Sequence, residues 1–147
     1  MQVGYAMPNV ARTQVTAAAD RSSDEALIEA IAQGRQMIIF PEGTRKPAGA
    51  PPEYKSGVGY LYTDSEAVCV PVALNTGLFW PRRNLSIHPG TVTIAFLDAI
   101  APGLDRQSFL QLLEARIEAA TAELIAEALA ADPSLKRPLS RSESAVW

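Results

Sequence analysis

The feature that most constrains the fold is a wholly apolar run at residues 37–40, which a glycine precedes and a proline follows. Upstream of it, Ser22 opens a capping box, apolar residues recur at helical spacing, and Gly34 supplies a C-terminal cap. Pro41 ends the run, because proline has no N–H to donate to a strand ladder. The order of helix, buried strand and polar loop predicts an α/β fold. Its loop follows the carboxyl end of a strand, where such sheets usually carry their sites.

Further elements are predicted downstream of that loop. Residues 56–62 form a short helix or turn, and residues 68–74 and 91–97 have the apolar and β-branched composition of strands. Asp105 is a good N-cap for a long final helix that ends near Ala131, before a proline. One face of that helix carries an apolar stripe at helical spacing, formed by Phe109, Leu112, Leu113, Ile117, Ala120 and Leu124.

These elements divide the chain into three parts. Residues 1–21 show no clear period and are predicted to be a poorly specified arm, whereas residues 22–131 form one partial domain. Residues 132–147 are polar and broken by proline, which is typical of a disordered tail. The net charge of -3 argues against a nucleic-acid partner, because such binders usually carry a basic surplus.

No segment of the sequence indicates secretion or membrane insertion. The N-terminus lacks the basic start and apolar stretch of a signal peptide, and the longest uncharged apolar stretch, around residues 67–74, is too short to span a bilayer. We therefore expect any membrane contact to be peripheral, or to come from a part of the protein outside this chain. Cys69 lies in an apolar run, which favours a buried and unreactive thiol.

The polar loop after residues 37–40 has the composition of an anion-binding site. Gly43 allows backbone N–H groups to approach a ligand closely. Arg45 is a permanent cation whose planar guanidinium suits a phosphate, and Glu42 can fix a hydroxyl or hold Arg45 in place. The alternative is a surface turn with a local Glu–Arg pair.

The loop also resembles a known family. Phe-Pro-Glu-Gly-Thr-Arg at residues 40–45 resembles, residue for residue, the third conserved block of the glycerolipid acyltransferases of the lysophosphatidic acid acyltransferase type. Tyr-Lys-Ser-Gly at residues 54–57 resembles the aromatic-Lys-x-Gly element that follows this block, and Val-Pro-Val-Ala-Leu-Asn at residues 70–75 resembles the fourth block. The resemblance covers roughly residues 34–131. It implies a partial acyltransferase-type sheet with flanking helices and a long C-terminal helix.

The resemblance further implies a site for a phosphorylated lipid acceptor. Its binding residues would be Glu42, Gly43, Thr44, Arg45 and Lys55 around phosphate and glycerol, with Pro71 on the acyl-donor side. A solvated lysine and an edge or bulge proline are the alternatives for Lys55 and Pro71. The implied reaction moves an acyl group from acyl-CoA or acyl carrier protein to lysophosphatidic acid and forms phosphatidic acid. The acyl thioester is then a co-substrate, and neither a metal nor another cofactor is expected.

The base that this chemistry needs is missing from the sequence. In the family, a His-x-x-x-x-Asp block precedes the third block, and its histidine removes the proton of the acceptor hydroxyl. The single histidine, His88, follows that block, and Thr93 stands where an aspartate would be required. We therefore assign no catalytic residue and expect a truncated form with weak or no activity alone. The alternatives are a non-catalytic relative that binds lysophospholipid or phosphate, a partner of a complete enzyme, and a fragment without function.

One further cluster suggests contact with a lipid surface. Two aromatic residues, Phe79 and Trp80, precede Arg82 and Arg83, and this combination suits an interface with anionic lipid. The alternative is that the aromatic rings pack on the core and the arginines are solvated. Together with the family resemblance, the cluster predicts a cytoplasmic protein that is peripheral at the inner membrane.

Overall fold

The structure, a computed structural model, describes residues 21–44, 50–80 and 88–135, with side chains from residue 25 onward. Helices and a small sheet alternate along these residues, which bears out a mixed α/β chain. The elements in chain order are α1 Arg21–Ala32, α2 Ser56–Ser65, β1 Val72–Leu74, α3 Thr76–Phe79, β2 Ile94–Phe96, α4 Arg106–Ala131 and a 3-10 turn at Pro133–Leu135.

The long helix α4 forms where local signals predict it. The Asp105 carboxylate accepts the backbone N–H groups of Gln107 and Ser108, each at 3.0 Å, which satisfies two amides that have no partner within the helix. The helix ends at Ala131, as predicted. The turn at Pro133–Leu135 follows, and the rest of the predicted tail, residues 136–147, lies outside the described residues.

The core lies between α4, α2 and the segment that follows β2. It consists of Tyr62, Ile100, Phe109 and Leu113, each at most 5% exposed. The rings of Tyr62 and Phe109 stack with centroids 3.7 Å apart and planes 4° from parallel. The Tyr62 hydroxyl donates to the carbonyl of Ala101 at 2.6 Å, so this buried polar group is satisfied.

The sheet has one covered face and one open face. β1 and β2 pair antiparallel, with Ala73 opposite Ala95 on the face toward α4. Val72 and Leu74 pair with Phe96 and Ile94 on the other face, where Phe96 is 77% exposed. The prediction of a buried strand over residues 68–74 is therefore wrong in part. Val68 and Val70 are exposed, and Val72 and Leu74 are only half-buried, because the described residues place no layer over that face.

Within the described residues, α1 covers Arg21–Ala32, so Ser22 lies inside the helix and the prediction that it is the cap is wrong, whereas the helix ends as predicted. Gly34 has a φ of +78°, and the Arg35 N–H donates to the Ala30 carbonyl at 3.1 Å, which is the hydrogen bond of a Schellman cap. The predicted strand over residues 37–40 is wrong. Phe40 is 73% exposed, and no described strand pairs with this segment, so the backbone has no ladder to join.

Candidate functional site

The predicted anion-binding loop begins with a tight turn. The Gly43 N–H donates to the Phe40 carbonyl at 3.0 Å, which places Pro41 at the second position of the turn, where its fixed φ is favourable. Gly43 has a φ of +67°, a conformation that costs a residue with a Cβ roughly 1–2 kcal/mol. Glycine is therefore needed here for the backbone conformation, because an added Cβ would meet only the Lys55 side chain, at an ordinary 3.9 Å.

The segment at residues 53–55 pairs with this turn. The pairing brings together the two sequence motifs at residues 40–45 and 54–57. The Lys55 N–H donates to the Pro41 carbonyl at 2.8 Å, and the Glu53 N–H donates to a carboxylate oxygen of Glu42 at 3.3 Å. Residues 53–55 thus lie beside residues 41–43. The structure therefore brings Glu42, Gly43 and Lys55 together at the surface.

The cation that the described part of this site contributes is Lys55. Its ammonium group lies 2.6 Å from the Glu53 carboxylate, and both side chains are well exposed. An exposed ion pair of this kind contributes little stability, roughly 0–1 kcal/mol, so an anionic ligand can compete for the ammonium group at low cost. Thr44 is exposed at the end of the turn, and Arg45 lies outside the described residues.

The same segment is anchored to α4 through Tyr54, a contact that the sequence did not predict. The Tyr54 hydroxyl donates to a carboxylate oxygen of Glu118 at 3.1 Å, and its ring packs against the core cluster. Burial raises the pKa of the Tyr54 phenol above its usual range, and the Glu118 carboxylate raises it further. The phenol therefore stays protonated and can donate at all ordinary pH values.

Comparison with known proteins decides the family. The family model described as Acyltransferase matches residues 7–75, a range that includes the turn, α2 and β1. The 1-acyl-sn-glycerol-3-phosphate acyltransferase of Pseudomonas aeruginosa is 30% identical over 99 residues, which are 67% of this chain and 38% of that protein. The protein of the same description from Cocos nucifera is 31% identical over 90 residues, 55% of this chain and 29% of that protein. This chain belongs to the acyltransferase family.

Several of these relatives agree in description but extend well beyond the matched region. The Limnanthes alba 1-acyl-sn-glycerol-3-phosphate acyltransferase is 33% identical over 85 residues, 57% of this chain and 30% of that protein. The chain thus spans between 29% and 38% of the length of these curated relatives. No solved structure matches this chain.

Pro71 lies directly before β1, and its ring is fully buried. Its carbonyl accepts the Leu97 N–H at 2.9 Å, directly before β1. The burial favours the structural alternative, a proline at a strand end, over direct contact with a substrate. Cys69 is half-buried nearby, and burial raises the pKa of its thiol, which agrees with an unreactive cysteine.

The single histidine, His88, occupies a different region from the turn. The His88 N–H donates to the Phe79 carbonyl at 2.9 Å, and the residue lines a shallow depression with Leu78, Asp132 and Leu135. It therefore packs near the C-terminal end of α4. Among the residues that the structure describes, no group of histidine, cysteine and carboxylate side chains is arranged to hold a metal ion.

The predicted lipid-contacting cluster needs one correction. Phe79 is only 4% exposed and packs against Gly90, so its ring is part of the interior and cannot reach a lipid surface. Trp80 is 54% exposed, whereas Arg82 and Arg83 lie outside the described residues. None of the helices within the described ranges is long and apolar enough to cross a membrane.

Proposed function

We propose that this chain carries the acceptor-binding part of a lysophosphatidic acid acyltransferase of phospholipid synthesis. The observation that carries the proposal is the pairing of the turn at residues 41–43 with residues 53–55, which places Gly43 beside Lys55. The 1-acyl-sn-glycerol-3-phosphate acyltransferases among its relatives support lysophosphatidic acid as the acceptor.

The proposed site has two parts. Cationic groups bind the phosphate of the acceptor, and hydrogen-bonding groups bind the rest of its polar head. Lys55 and Arg45 bind the phosphate, because an ammonium group and a guanidinium fork both match its charge. The exposed turn at Gly43 and Thr44 offers backbone and hydroxyl groups, and Glu42 accepts a hydrogen bond from a glycerol hydroxyl. Glu42 has a second role in the free protein, because it accepts the Glu53 N–H and so holds the two segments together.

The reaction that this site serves is an acyl transfer from a thioester to an alcohol. The free glycerol hydroxyl of lysophosphatidic acid attacks the thioester carbonyl of acyl-CoA or acyl carrier protein. An ester C–O bond forms, the C–S bond breaks, and the thiol leaves with the proton that the hydroxyl loses. The acyl thioester is a co-substrate in this scheme, and the proposal includes no resident cofactor.

The chemical step needs a base, and this sequence contains a single histidine. His88 packs near the end of α4 and is not part of the turn site. We therefore propose that the chain alone binds the acceptor with weak or no turnover. An assay with lysophosphatidic acid and acyl-CoA that yields phosphatidic acid at the rate of an intact relative would overturn this part of the proposal.

Binding of a water-soluble, short-chain lysophosphatidate tests the site. We expect Arg45→Ala and Lys55→Ala each to weaken binding by roughly tenfold, because each removes a charge-assisted contact to the phosphate. Arg35→Ala is the matched control, since Arg35 is an exposed arginine outside the turn. Equal affinity of the parent and Arg45→Ala, or equal affinity for a lysophosphatidylcholine of the same chain length, would contradict the assignment.

A second candidate is a non-catalytic relative that binds a lysophospholipid or partners a complete enzyme. The observation that favours it is the position of the only histidine, away from the turn. The two candidates differ when a complete homologous enzyme is added. A partner raises or lowers the turnover of that enzyme in proportion to its concentration, whereas a mere binding fragment only competes for lysophosphatidate.

We also propose that the protein works at the surface of the inner membrane on its cytoplasmic side, where its lipid substrate resides. Trp80 supports this, because it is an exposed aromatic residue that precedes Arg82 and Arg83 in the sequence. Flotation with vesicles that contain phosphatidic acid tests it. We expect Trp80→Ala to reduce the bound fraction, whereas Tyr60→Ala, which removes another exposed aromatic ring, serves as the control.

A further inference from the structure

The segment that pairs with the turn is held on two sides. Residues 53–55 precede α2 in an extended conformation, with Lys55 at φ −81° and ψ 144°. In extended backbone, successive side chains point to opposite sides. Glu53 and Lys55 accordingly contact each other at the surface, whereas Tyr54 between them points toward α4 and the core.

Tyr54 lies between the two hydrogen bonds that join the segment to the turn. The residue before it donates to the Glu42 carboxylate, and the residue after it donates to the Pro41 carbonyl. Any displacement of Tyr54 therefore shifts both contacts. The position of the turn relative to the rest of the molecule depends on what holds the Tyr54 side chain.

Two contacts hold that side chain. Its ring packs against the core cluster, and its hydroxyl donates to the Glu118 carboxylate across 64 positions of sequence. A hydrogen bond to a charged acceptor is stronger than one between neutral groups. Because burial raises the pKa of the phenol, the donor is present under all ordinary conditions.

We propose that Tyr54 and Glu118 are positioning residues that hold the acceptor-binding turn in place by tying it to α4. This inference rests on the proposed function, since it gives a role in acceptor binding to two residues that are not among the proposed acceptor-binding residues. Without the hydrogen bond, the segment keeps its covalent path but samples more conformations. The phosphate-binding groups then pay an entropic cost when they order around the ligand.

The rate of amide hydrogen exchange at Glu53 and Lys55 measures directly how firmly this segment is held, and the measurement needs no ligand. Tyr54→Phe keeps the ring and removes the hydroxyl, and Glu118→Leu removes the acceptor. We expect either change to speed exchange of the Lys55 amide roughly three- to tenfold, as the loss of one net hydrogen bond predicts. Glu118→Gln retains an acceptor oxygen and should restore most of the protection.

Two controls separate positioning from general stability. Glu127→Gln changes an exposed carboxylate on the same helix and should leave exchange at Lys55 unaltered. Exchange at Phe109, a core amide within α4, should also stay unaltered in Tyr54→Phe. The double variant Tyr54→Phe with Glu118→Leu should be no worse than either single variant, because both remove the same bond.

Affinity for short-chain lysophosphatidate supplies the second measurement. We expect Tyr54→Phe and Glu118→Leu to weaken it severalfold and Glu118→Gln to restore it. An unchanged exchange rate of the Lys55 amide in Tyr54→Phe overturns the inference. Faster exchange in a variant that keeps full affinity for lysophosphatidate overturns it as well. If the parent chain itself binds no lysophosphatidate, the proposed function fails, and the exchange result still decides whether the two residues hold the turn.

Discussion

The two sides of the sheet differ sharply although both are apolar. On the side of α4, Ala73 and Phe109 are completely buried. On the opposite side, Ile94 and Phe96 are 55% and 77% exposed. Outside the sheet, Ile38 in the segment before the turn is also 80% exposed. Hydrophobic composition therefore does not by itself bury a side chain, since a packed layer must also lie against it. Paired substitutions on the packed and the open side test this difference.

The largest expected contrast is between two phenylalanines. Phe109→Ala should lower the free energy of unfolding by about 3–5 kcal/mol, because it leaves a cavity beside the Tyr62 ring. Phe96→Ala removes the same atoms from the open face and should change stability by no more than about 0.5 kcal/mol. Urea denaturation followed by circular dichroism measures both. Similar losses in the two variants would show that the open face is packed in solution.

The next contrast is between two glycines of α2. A Cβ at Gly59 would lie 2.7 Å from the Arg106 side chain and 3.1 Å from Leu110. Gly59→Ala should therefore force α2 away from α4 and cost roughly 1–3 kcal/mol. A Cβ at Gly57 meets nothing within 4 Å, so Gly57→Ala should stabilise the helix by roughly 0.5–1 kcal/mol. Thermal melts of the two variants should shift in opposite directions, and shifts of the same sign would contradict the α2–α4 packing.

A smaller effect on stability is expected at high pH from Tyr54, which connects the exposed turn to α4 on the packed side. Its folded-state pKa is raised, chiefly by burial and then by Glu118. The resulting stability is complete below the ordinary tyrosine pKa of about 10 and is lost as pH rises above it. Between mildly and strongly alkaline pH, the melting temperature should fall less for Tyr54→Phe than for the parent. Equal losses in both proteins would place the pH dependence at other tyrosines.

The smallest effect is expected at the start of α4. Hydrogen bonds from Ser108 and Gln107 lower the pKa of the Asp105 carboxyl, with those from Ser108 contributing most. Its stabilisation is therefore present above the ordinary pKa of 3.8 and is lost as pH falls through the lower folded-state value. Asp105→Ala should lower the melting temperature slightly at neutral pH. Asp105→Asn should retain the cap but lose this acid dependence, and an Asn variant as unstable as Ala would contradict the capping role.

The accuracy of the sequence predictions follows the range of the interactions on which they depend. Asp105 and Gly34 act within a few residues of themselves, so the cap of α4 and the end of α1 were confirmed. Residues 37–40 looked like a strand because they are apolar, but a strand needs a neighbour and the described chain supplies none. For Phe79 the sequence left lipid contact and core packing as alternatives, and core packing holds because Gly90 lets the chain pack directly on its ring.

The candidate site shows the same division. By itself, the sequence determined the family, a polar loop at residues 41–45, and the residue types that suit a phosphate, because these depend on a short contiguous motif. Only the tertiary structure decided that Lys55 lies beside Gly43 and that Tyr54 is tied to Glu118. Those contacts join residues 12 to 64 positions apart, and no local pattern encodes which distant side chain completes a hydrogen bond.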